Sequence, residues 1–79
     1  MMDDQTKILA LRLRLQNYPG PHENETWKLE KNLHKCTDRE KLELARYGLT
    51  VSQLMREGFN RGEVHHMLFG YKHEGRVGG

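Results

Sequence analysis

Five histidines and one cysteine are the side chains of this chain best suited to hold a metal or attack an electrophile. His34 and Cys36 stand two apart and His65 adjoins His66, so four nitrogen and sulfur donors of the kind zinc takes are present in principle. Their spacing argues against a shared ion. Neighbouring residues of a helix point about 100° apart, and no C-x-x-C or H-x-x-x-H pair anchors a site. No metal and no other cofactor is therefore expected. His65 or His66 reads as a partly buried, hydrogen-bonded side chain, and Cys36 as a small core residue at a helix end rather than a nucleophile. The usual signatures of catalysis are missing as well: there is no glycine-rich phosphate loop and no serine nucleophile elbow. Glu40 and Glu43 read as a helix cap and a surface charge, not as an acid–base pair. A non-enzymatic protein is expected, with its function in binding.

The elements that would present a binding surface are punctuated along the chain. Residues 3–18 lack glycine and proline and are dominated by good helix formers. Ile8, Leu11, Leu15 and Tyr18 fall on one side of such a helix, and Leu9 and Leu13 form a second strip beside them. Pro19-Gly20-Pro21 cannot continue it. A second helix is predicted over 24–36, from the i, i+4, i+7 spacing of Leu29, Leu33 and Cys36, with Trp27 and Leu33 docking it on its neighbours. Three capping boxes follow: Thr37 to Glu40, Thr50 to Gln53 and Asn60 to Glu63. They predict helices over 38–47, 51–57 and 61–69, with Gly48, Gly58 and Gly70 as stops. The expected fold is all-α: one domain over 1–71, a bundle of about five short helices whose first covers a groove formed by the last three, and a flexible tail over 72–79.

Thr50 to Leu68, TVSQLMREGFNRGEVHHML, resembles the helix-turn-helix unit of small regulators and site-specific recombinases. The resemblance implies that Gly58-Phe59-Asn60 is the turn and Val64 the buried anchor. Arg61, Glu63, His65 and His66 would then lie on the exposed N-terminal part of a reader helix, so DNA or RNA is one candidate partner. An Arg61, Lys72 and Arg76 cluster is the best candidate for phosphate contact.

Composition tilts the choice toward a protein partner. Thirteen Lys and Arg stand against eleven Asp and Glu, for a net charge of +2, and most cations have acidic neighbours. That is a weak match for a phosphate-tracking stripe. Only 35% of the chain is apolar and mean hydropathy is -0.89, so the core must be thin. Trp27, Tyr18, Tyr47, Phe59, Phe69 and Tyr71 are more large side chains than such a core conceals. The expected function is a small protein-binding module, an inhibitor or adaptor of a larger protein, of the kind encoded by phages or bacteria. Its contact residues are expected among Arg61, His65, His66, Tyr71, Lys72 and Arg76, and a homodimer through the Leu9 and Leu13 strip is a further possibility. One cysteine permits no internal disulfide, and no stretch has the ~20 apolar residues of a membrane span or the apolar block of a signal peptide. A cytoplasmic protein with no membrane partner is expected.

Overall fold

The structure, a computed structural model, describes residues 3–70. The fold is all-α, with no strand among the described residues. Helix α1 spans Asp4–Leu13, α2 Asp38–Arg46, α3 Val51–Arg56 and α4 Arg61–His65. Two 3₁₀ turns, Thr26–Leu29 and Leu33–Lys35, lie between α1 and α2, and a single π-type turn, His66–Gly70, continues α4. No helix among the described residues is long and apolar enough to cross a membrane.

The three capping boxes form as their residues dictate. Thr37 Oγ1 accepts from Glu40 N–H at 3.2 Å while Glu40 Oε1 accepts from Thr37 N–H at 2.8 Å. Thr50 and Gln53 repeat the exchange at 3.3 and 2.8 Å, and Asn60 and Glu63 do so at 2.8 Å in both directions. Each box satisfies amides that a helix start would otherwise leave orphaned. Gly48 and Gly58 then take φ of 75° and 87°, closing α2 and α3 with a backbone that other residues adopt only at a cost.

Ile8 and Leu11 of α1 enter a core shared with Leu33, Leu44, Leu54, Phe59, Val64 and Met67. Leu15 packs at its margin, while Leu9 and Leu13 stay 59% exposed, so the two strips of α1 separate into an inner and an outer face. Polar ties fix α1 on the later helices. Arg12 pairs with Glu57 at 2.9 Å and lies 4.6 Å over the Phe59 ring, and Gln53 donates to Asp4 at 2.6 Å.

Three predicted elements differ from the structure. The N-terminal helix ends at Leu13 instead of Tyr18. Beyond it, Arg14, Leu15 and Tyr18 donate to carbonyls three residues back, a tightening that turns Tyr18 inward ahead of Pro19. The helix predicted over 24–36 is instead the two 3₁₀ turns, with Glu30 extended between them at φ -62°, ψ 122°. Local bonds compete with a helix there: Glu30 accepts from Asn32 N–H at 3.1 Å and Asn32 from His34 N–H at 3.2 Å. The Glu30 carbonyl is also taken by the Arg61 amide at 2.9 Å, and a short polar segment has too little propensity to resist. The last helix, predicted over 61–69, is α-helical only to His65 before widening. The wide turn buries His66, Met67 and Leu68 in succession and closes over the His66 ring at Gly70. Residues 71–79, which comprise Tyr71 and the predicted tail over 72–79 with Lys72 and Arg76, lie outside the described residues.

Candidate functional site

Where the first 3₁₀ turn meets the start of α2 and one side of α4, the chain leaves a groove of about 510 Å³. Trp27 comes from the turn, Thr37, Arg39 and Glu40 from the α2 cap and first turn, Arg61 and His65 from α4, and Phe69 from the π-type turn. The α4 spacing explains part of this set, because residues 61, 65 and 69 succeed one another at intervals of four. The capping box explains another part: Glu40 must fold back to the Thr37 amide, and that places its carboxylate at the base of the groove.

His65, Trp27, Arg61 and Glu40 hold one another in a closed ring, and Phe69 and Arg39 extend it from His65. The Arg39 guanidinium lies 4.5 Å over Phe69, and Phe69 tilts against His65 at 5.2 Å. His65 meets Trp27 edge-on at 6.1 Å, and Arg61 covers Trp27 at 4.9 Å. Arg61 then reaches Glu40 Oε1 at 3.6 Å, and His65 Nδ1 lies 3.0 Å from Glu40 Oε2. Since an ionised carboxylate can only accept, the hydrogen of this last contact sits on Nδ1. Glu40 is 2% exposed. Burial pushes its carboxyl pKa up, but the Thr37 amide, His65 and the Thr37 hydroxyl outweigh that effect and hold it below the ordinary value of 4.5. The carboxylate is thus a counter-ion whose oxygens are committed inside the protein. The groove offers a partner two aromatic rings, an imidazole and guanidinium edges.

The structure distributes the predicted contact residues unevenly. Arg61 and His65 meet in the groove, but Arg61 is turned inward, with its side chain 18% exposed. His66 is 8% exposed, its ring 4.9 Å from Tyr18 and away from the groove. Its assignment to a contact surface is corrected by this burial: the wide turn carries the imidazole into the interior. The amide end of α4, where a reader helix would meet bases, is covered by the segment around the first 3₁₀ turn. There the Arg61 amide bonds Glu30, and Gly62 is buried under Tyr18 and Lys28. Tyr71, Lys72 and Arg76 lie outside the described residues.

Trp27, Thr37, Arg39, Glu40 and Phe69 were not among the expected contacts. The four-residue step from His65 to Phe69 and the inward commitment of Glu40 by its capping box were the available signals. Nothing in the spacing brings Trp27 to them. Cys36 is in the core, where burial raises its thiol pKa. No group of three His, Cys, Asp or Glu side chains able to hold a metal forms among the described residues. A smaller groove of about 270 Å³ runs along α1 beside Ile8, Leu9, Arg12 and Glu57. No protein-family model, curated protein or solved structure matches the chain.

Proposed function

We propose that the protein is a small non-enzymatic binding module, an inhibitor or adaptor that docks a larger protein in the groove between Trp27 and Phe69. The observation that carries this reading is the placement of Trp27. Eleven apolar side chains are buried among the described residues, yet the one tryptophan is left 41% exposed and braced by Arg61 and His65. Tryptophan and arginine dominate the energetics of protein interfaces, where a rigid anchor loses little entropy on binding. Here the anchor is already positioned, because the cap of α2 fixes Glu40 and Glu40 in turn fixes His65 and Arg61. The covered start of α4 and the inward Arg61 weigh against use of that helix as a reader of duplex DNA.

Affinity capture of the intact protein from its native cell tests the reading. One dominant protein is expected at stoichiometric yield with the unaltered chain. Trp27→Ala is expected to weaken that complex about thirty-fold, while Leu9→Ala, on the far strip of α1, leaves it intact. Recovery unchanged by Trp27→Ala would overturn the reading. So would duplex-DNA binding that falls steeply with added salt.

A further inference from the structure

We infer that the groove takes a linear segment of the partner in which a large apolar side chain stands within two residues of an aspartate or glutamate. The apolar group enters between Trp27 and Phe69, and the carboxylate pairs with Arg39. The inference rests on the binding-module reading and adds the chemistry of the partner.

Charge complementarity selects the acid. Glu40 is the groove's carboxylate, and it lies at the base with both oxygens engaged by Thr37, Arg61 and His65. Arg39 is at the rim. Arg12, Lys28, Lys35, Arg46 and Arg61 each reach a carboxylate of this chain, whereas Arg39 forms no ion pair among the described residues and rests over Phe69. A guanidinium stacked on a ring still presents its N–H edge, the geometry that a carboxylate meets with two parallel bonds.

The aromatic walls select the neighbouring apolar group. His65 meets Trp27 on one side and Phe69 on the other, so a side chain entering between these two leaves water for ring surface, and a volume of about 510 Å³ lies in the range of ~300–1,000 Å³ that encloses ligands of a few side chains' size. Single-stranded nucleic acid also stacks on rings beside arginine, but it needs a row of cations along its backbone. Lys28, 5.6 Å from the Trp27 ring, is paired with Glu25 at 3.1 Å, and of the two arginines that line the groove Arg61 is paired with Glu40, leaving the Arg39 guanidinium for one carboxylate.

The test is selection of random heptapeptides on the full-length protein and, in parallel, on Arg39→Gln. Selected peptides, synthesised without tryptophan, are then titrated against fluorescence excited in the tryptophan band beyond tyrosine absorption, which reports on Trp27 because the chain has one tryptophan. Selection on the unaltered protein is expected to enrich a large apolar residue next to Asp or Glu. Exchanging that acid for its amide should weaken binding about five-fold to the unaltered protein and leave binding to Arg39→Gln unchanged. The apolar preference should survive Arg39→Gln. The inference is overturned if no peptide is enriched, if the acid preference is absent or independent of Arg39, or if Trp27 emission does not respond. It is overturned too if oligo-dT competes at the groove, if the emission change accompanies self-association seen by sedimentation, or if a synthetic peptide of residues 71–79 displaces the selected ones. A captured complex that still depends on Trp27 would then keep the module reading and remove only the acidic segment. Capture indifferent to Trp27 removes the module reading itself.

Discussion

Glu40 links folding to the groove at the level of a single side chain. Its folded pKa is depressed, so its contribution to stability is full above the ordinary value of 4.5 and is lost as pH falls through the lower folded value. Glu40→Gln should therefore flatten the acid side of the stability curve, measured as urea midpoints from pH 7 to pH 2.5. At pH 7 it should cost about 2–3 kcal/mol, the worth of buried hydrogen bonds to a charged acceptor. Some acid sensitivity will remain. Asp3, Glu25 and Glu30 are also lowered, each first by a backbone amide, from Thr6, His22 and Asn32 respectively. An unchanged pH profile in the Gln variant would show that Glu40 is not the buried counter-ion described. The capping role of this residue was legible in four consecutive letters. Its partnership with His65, twenty-five positions away, was not, since nothing local to either residue encodes that approach.

At the level of elements, the chain marks its starts better than its lengths. Thr37, Thr50 and Asn60 act within three residues of themselves, through bonds that need no tertiary partner, and all three helices begin where those residues stand. The 24–36 segment shows the opposite case: its apolar spacing is helical, but Arg61 takes the Glu30 carbonyl and Asn32 caps its own turn. Gly62 measures how closely that segment sits on α4. A Cβ built there would lie 2.6 Å from Lys28 Cβ and also meet Tyr18 Oη. On helix propensity alone Gly62→Ala should stabilise by up to ~1 kcal/mol. The packing reverses the sign, and a loss of about 1–3 kcal/mol is expected in chemical denaturation, as for other overpacked sites. A stabilised variant would mean that the 3₁₀ segment does not rest on α4. The same substitution should blue- or red-shift Trp27 emission in the folded state, because Trp27 and Lys28 are neighbours in the displaced turn.

Across the whole molecule, α1 divides inside from outside. Leu11 is 1% exposed and Leu9 is 59% exposed, two residues apart on one helix. Leu11→Ala should cost about 2–5 kcal/mol by opening a cavity in the core, whereas Leu9→Ala should stay within about 0.5 kcal/mol. Equal costs in urea denaturation at two protein concentrations would place the outer strip in contact with something, and a concentration-dependent loss would identify that contact as a second copy. By itself the sequence determined what acts over short distances: the all-α class, the three capped starts, the glycine stops after α2 and α3, and the division of α1 into two strips. Only tertiary structure decided that Trp27 stays at the surface, that His66 goes inside, that Arg61 turns to Glu40, and that Arg39 is left facing solvent over Phe69. Caps and periodicity are settled by neighbours a few residues away, while a groove is assembled from four segments whose meeting depends on how the core closes as a unit.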